Sequence, residues 1–196
     1  MESSSIIIWM NFFIILRKKV NMLGKYDANK VEYKDILMFF RDEISVYEYR
    51  YTLEDNTTIL LKIKEQHFCK LLALDEFAPS TYKRRMYLDE LGLEKVEKEE
   101  LTSVDSKNKK PKIWKTYKNR IEYFPYLREL LLKPEYVIFN KQLLNTKIDA
   151  QIILLYRLSE TEYIHLFCKQ IKDNTIIPIT FLIHKNDKYI INQETK

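Results

Sequence analysis

From Tyr33 to Ser45 the apolar positions Ile36, Leu37, Phe39, Phe40 and Ile44 recur at spacings of three and four, which predicts an amphipathic helix. The pattern then changes to alternation in VYEYRYTL, breaks at EDNT, and alternates again in TILLKIK, so Val46 to Lys64 reads as a β-hairpin with Asp55 and Asn56 at its tip. A second helix is expected in EQHFCKLLAL, with Phe68, Cys69, Leu71 and Leu72 facing inward. Pro79 and Ser80 mark the start of a third, which Gly92 is expected to close. Thr102 to Lys112 has no apolar period and carries four lysines, the pattern of a surface loop or a flexible linker within the domain. Helical spacing returns through Ile113, Trp114, Tyr117 and Ile121; Pro125 breaks or restarts that helix and Pro134 ends it.

After Pro134 the period becomes two. YVIFN, AQIILLYRL, EYIHLFCKQI, IIPITFLI and KYIIN are five short strands, and the short turns between the last four predict an antiparallel meander. The expected class is therefore α+β: N-terminal helices with an inserted β-hairpin, packed on a C-terminal antiparallel four- to five-stranded curved sheet. Alternation sorts the fourth of these strands into Ile177, Ile179, Phe181 and Ile183 on a core face, and Ile176, Thr180, Leu182 and His184 on the other.

Composition narrows this only a little. In 196 residues, 46% hydrophobic and 31% charged, there is room for one good core. A net charge of +5 tilts weakly toward anionic partners. The two cysteines, Cys69 and Cys168, are each flanked by apolar residues and read as buried thiols in a reducing cytoplasm, with a single disulfide as the alternative. Ahead of this domain, taken as residues 22–196, stands an apolar and basic extension over 1–21. Its run from Ile6 to Leu16 is too short to span a bilayer, and Arg17, Lys18 and Lys19 follow it where a secretory signal would place them first. Three readings stay open: a start assigned upstream of the true one at Met22, a helix packed on the domain, and an interfacial anchor through residues 6–19.

Candidate chemistry gathers at the end of the chain. His184 and Lys185 lie where a strand gives way to HKND, and Lys188, Tyr189 and Gln193 return along the next one, so Thr180, His184 and Lys188 are placed to line one partly solvated sheet face. A hairpin tip rich in His, Lys, Asn and Asp is also what an ordinary soluble turn looks like. His165, between aromatics in YIHLFCK, reads first as a satisfied half-buried residue, and His67 as a helix cap. Lys70, one turn on from His67, points to solvent in the plain reading. There is no GxSxG, glycine-rich phosphate loop or HExxH, and the cysteine and histidine spacings suggest no metal site or cofactor.

The order of pieces, YEYRYTL…TTILLKIKEQHFCKLLALDEF, IEYFPYLRELLLKPEYVIFN, NTKIDAQIILLYR, YIHLFC and PITFLIHKNDKYIINQ, resembles the barnase–EndoU–colicin–RelE-like (BECR) nucleases of phages and mobile elements in low-GC Gram-positive bacteria. The resemblance covers about Tyr33 to Gln193. It implies helices on an antiparallel sheet and a metal-free hydrolase of RNA, a toxin-like cytoplasmic endoribonuclease with an RNA substrate and a protein inhibitor of the antitoxin or immunity kind. In that chemistry a ribose 2′-hydroxyl attacks the neighbouring phosphodiester, with histidine moving protons and cations stabilising the anionic oxygens. Carried over, His184, Lys70, Thr180 and His67 become the catalytic candidates, and Lys185, Lys188, Tyr189 and Gln193 the RNA-binding ones. The sequence departs from the family's HLLGL helix motif, which has histidine at Lys70 and glycine at Ala73. A solvated lysine is protonated near neutrality and is no base, so Lys70 would stabilise phosphate, and a catalytically weakened RNA- or protein-binding module is the alternative.

Overall fold

The structure, a computed structural model, describes residues 24–195. The extension over 1–21 lies outside them. The architecture is α+β, with the helices largely preceding a curled sheet in the chain. Helix α1, Tyr33–Phe40, buries Tyr33, Ile36, Leu37 and Phe40 and runs on as a π-helical turn, Arg41–Ser45, that adds Ile44. A hairpin follows: β1, Tyr49–Thr52, pairs antiparallel with β2, Thr58–Leu61. The short helix α2, Phe68–Leu71, is flanked by 3-10 turns at Glu65–His67 and Leu74–Phe77.

A longer 3-10 segment, Thr81–Tyr87, leads into α3, Asp89–Glu97. Gly92 does not close a helix. It sits inside α3, where a Cβ would lie 2.6 Å from the Tyr87 carbonyl carbon and 2.8 Å from the Cys69 sulfur, so the glycine permits a close approach. The stretch expected as a loop over Thr102–Lys112 is mostly helical: α4 spans Ser103–Lys109, and α5, Pro111–Glu122, starts directly after it. The Thr102 hydroxyl accepts from the Asp105 N–H at 3.1 Å and Pro111 stands at the first position of α5, so local end signals override the missing apolar period. Helix α6, Tyr126–Leu132, restarts after Pro125 as expected.

The remaining strands are β3, Glu135–Ile138; β4, Ile152–Arg157; β5, Tyr163–Lys172; β6, Thr175–His184; and β7, Glu194–Thr195. Together with β1 and β2 they form, among the described residues, one seven-stranded sheet in the order β1-β2-β6-β5-β4-β3-β7. Three of the four strands of the expected meander form as β4, β5 and β6, and β3 pairs antiparallel on the β4 side. Three features differ from the expectation. The hairpin joins the same sheet, because β2 pairs parallel with β6 through Leu60–Thr175 and Leu61–Ile176. The register of β6 against β5 skips Ile179, pairing Phe167 with Thr180 and Cys168 with Pro178, so Ile176 rather than Ile177 shares the core face of Phe181. And Lys188 to Asn192, expected as a strand, is a turn.

The sheet has two dissimilar faces. One is covered by the helices, and its core links Phe40, Phe68, Phe124 and Phe181 through ring contacts of 5.6 to 5.9 Å. The other carries a smaller cluster, including Val137, Phe139, Ile153, Leu155, Tyr163 and Phe167. Over it run the 140–150 segment and the chain after β6, which crosses β5 and β4 to reach β3, where Ile138 pairs with Glu194. That crossing segment, residues 185–195, is a strap.

Candidate functional site

The strap face gathers the C-terminal candidates. His184 stands at the end of β6 opposite Tyr163, and Thr180 stands opposite Phe167, so both look toward the smaller cluster as alternation predicted. The Tyr189 ring meets His165, Phe167 and His184 edge-on at 5.6, 5.2 and 5.3 Å. It is a packing lid, half-buried, rather than a free stacking surface. Lys188 places its ammonium 5.3 Å from the centre of that ring, and Lys185 is exposed. Gln193 is occupied structurally: its Oε1 accepts from the Asn140 N–H at 2.7 Å and its Nε2 donates to the Asn140 carbonyl at 3.4 Å.

His67 and Lys70 lie elsewhere. The His67 Nδ1 accepts from the Lys64 N–H at 3.0 Å, capping the 3-10 turn, and burial lowers the ring's pKa. Lys70 extends from α2, whose Phe68, Cys69 and Leu71 belong to the helical core, and its ammonium is 3.8 Å from the Asp75 carboxylate. Beside it the buried Arg120 donates to the Leu71 carbonyl at 3.0 Å, and burial pulls that guanidinium down to about 10. Lys70 therefore belongs to the helical layer and His184 to the strap face. The sheet stands between them, and they do not converge on one phosphate-sized hollow.

His165 corrects a further expectation. Its ring is 0% exposed, and among the described residues neither nitrogen has a hydrogen-bond partner. Burial lowers its pKa to about 3, repulsion from His184 adds to the shift, and the nearby Leu182 backbone opposes it. The His184 Nδ1 is also buried without a partner among the described residues. Both cysteines are free and buried, as expected, and burial pushes the Cys69 thiol up to about 12. Among the described residues no three His, Cys, Asp or Glu side chains are grouped to hold a metal ion, and no helix is long and apolar enough to cross a membrane. A cavity of about 90 Å³ lined by Ala28, Asn29, Ser103, Val104, Lys107 and Asn108 contains none of these candidates.

One surface escaped the sequence reading. In the 3-10 segment Thr81–Tyr87, residues three apart eclipse one another. Arg84 and Tyr87 turn inward, half-buried, with Arg84 paired to Glu76. Tyr82 and Arg85 form one outward ridge, Lys83 and Met86 the next, and Tyr82 is 98% exposed. Lys110 donates to the carbonyls of Glu76 and Ala78, which brings the start of α5, with exposed Lys112 and Lys115, toward the same region. Among the described residues Lys83, Arg85, Lys112 and Lys115 make no ion pair. The signal in the sequence was TYKRRMY itself, cations interleaved with aromatics.

No protein-family model matches the chain, and neither a curated protein nor a solved structure matches it.

Proposed function

We propose that the protein binds single-stranded RNA without cleaving it, as a cytoplasmic module of the BECR-like kind. The observation that supports this most is the outward ridge of the Thr81–Tyr87 segment, where a 98% exposed Tyr82 stands beside the unpaired cations Arg85 and Lys83. An unpaired base has a π-face for the tyrosine, and the cations suit the flanking phosphates. Binding is favoured over turnover because His67 is used as a cap, His165 is sealed, and Lys70 lies across the sheet from His184. Ala73 adds a local correspondence with the family resembled: it holds φ 55°, the left-handed region that suits glycine, at the position where the HLLGL motif has one.

The test is titration of a labelled unstructured RNA at several salt concentrations. Tyr82→Ala should weaken binding at least about fivefold, from about 1–3 kcal/mol of stacking per base. Arg85→Glu should weaken it and flatten the salt dependence. A wild-type protein that does not retain RNA at low salt contradicts the proposal.

Cleavage is the second reading, favoured by His184, half-buried beside Tyr189 and Lys188 with Lys185 exposed nearby. In that case His184 takes the proton of the 2′-hydroxyl as its oxygen bonds the phosphorus, the P–O5′ bond breaks and the 5′-oxygen leaves with a proton from water. Lys185 and Lys188 hold phosphate, and a protein inhibitor of the antitoxin or immunity kind is the matching partner. Total RNA incubated with the protein and EDTA should then be cut, and His184→Ala should abolish cutting. Equal cutting by both proteins removes His184 as the base.

A further inference from the structure

The strap over the second sheet face rests on few attachments. Tyr189 and Ile190 pack on the cluster, Gln193 clips to Asn140, and β7 adds a two-residue pairing with β3. Beneath it lies His165, fully buried, with both ring nitrogens lacking a hydrogen-bond partner among the described residues. A neutral imidazole fits a site bounded by Tyr163, Phe167 and Tyr189. A protonated one does not: it carries a charge and a second donor, and burying either without a partner is costly.

We propose that residues 185–195 form an acid-released strap, held shut over the sheet while His165 is neutral and let go when that ring takes up a proton.

Among the described residues, only the Leu182 backbone favours the charged ring, and burial outweighs it. From β6, His184 faces it and repels positive charge. From β4 its pairing partner is Leu155, and Arg157 at the rim is committed to Glu135 while lying 5.4 Å from the Tyr163 ring. From the strap come the Tyr189 phenol and the Lys188 ammonium, a second like charge. On β5 itself, Lys169 pairs with Asp149, which also holds Lys141. Among the described residues no carboxylate shifts the His165 ring. Lifting the strap uncovers the ring to water with little disturbance of the helical core, which lies on the opposite face.

The linkage has a definite direction. With the strap open, His165 regains its ordinary value of 6.5; with it shut the value is about 3. The open form therefore binds the proton more readily. Closure is fully favoured above about pH 6.5 and is lost progressively as pH falls from there toward about 3, with the opening equilibrium rising about tenfold per pH unit.

Deuterium exchange on the full chain between pH 7 and 4.5, expressed as protection factors corrected for intrinsic exchange, reads this directly. The expected result is that protection in the peptide over 185–195 falls about tenfold per pH unit below 6.5 while peptides of α1 and α6 hold theirs. In His165→Phe, which keeps an aromatic ring but takes no proton, strap protection should not vary with pH. Gln193→Ala should lower strap protection at every pH and leave the slope unchanged, a check that survives if His165→Phe does not fold. Wild-type protection independent of pH, an unaltered slope in His165→Phe, an altered slope in Gln193→Ala, or loss of helical protection together with the strap would each overturn the proposal.

Discussion

The two faces of the sheet solve the same burial problem with different materials. The helical face closes over a continuous stack of rings and aliphatic side chains from α1, α2, α6, the sheet and Phe124. Among the described residues the hydroxyls of Tyr33 and Ser106 on that side lack a well-formed hydrogen bond, and burial raises the Tyr33 pKa. Hydroxyls and raised thiols of this kind stay neutral through the acid range. The strap face is smaller, is covered by irregular chain, and holds an imidazole whose ordinary pKa is within two units of physiological pH. The lesson is that burial alone does not make a face permanent. What matters is whether a buried group acquires charge under accessible conditions.

Substitutions should separate the faces. The largest effect is expected at Phe124, 0% exposed and in ring contact with Phe39, Phe40, Phe68 and Phe181. Phe124→Ala should cost about 3–5 kcal/mol in denaturant unfolding, with the whole domain losing structure together. Gly92→Ala comes next. Alanine gains about 1 kcal/mol of helix propensity, but a Cβ 2.6 Å from the Tyr87 carbonyl carbon forces α3 away from its neighbours. A net loss of about 1–2 kcal/mol in the same measurement is expected, because overpacking costs about 1–3 kcal/mol. Tyr189→Ala should behave differently: strap exchange at pH 7 should rise well before any change in helical protection. A loss of global stability equal to that of Phe124→Ala would erase the distinction between the faces.

The smallest effect is expected at Ala73. Relieving its φ of 55° by glycine gains about 1 kcal/mol, and losing a buried methyl costs about 0.8 kcal/mol. Ala73→Gly should therefore leave thermal stability nearly unchanged.

Much of this architecture was readable along the chain, for physical reasons that also mark where reading stops. Helix α1 and strands β4 to β6 announce themselves because their partners lie close in sequence and their apolar period is unbroken. Helix α4 has no such period, yet Thr102 with Asp105 three residues on, and Pro111 at the next helix start, carry its ends. The strap escaped because KYIIN has strand-like residues, and whether such a segment pairs or crosses a face depends on β3, half a domain away. The skipped register at Ile179 moved Ile176 across the sheet, a phase change that strict alternation cannot anticipate. The candidate site failed at one point of tertiary placement. Spacing correctly put Thr180 and His184 on one face, but nothing in it says that α2, with Lys70, packs on the other. His165 was visible as a histidine among aromatics; its complete closure was not, since that depends on Tyr189 folding back over it.

The proposed strap requires His165 to be a sealed, neutral imidazole under a removable cover. Nitrogen NMR of histidine-labelled protein between pH 7 and 4.5 tests it at the ring. The closed form should keep a neutral His165 signal well below pH 6.5, with the charged signal growing only together with an opened strap. A His165 ring that titrates smoothly near its ordinary value, with the strap still in place, would contradict it.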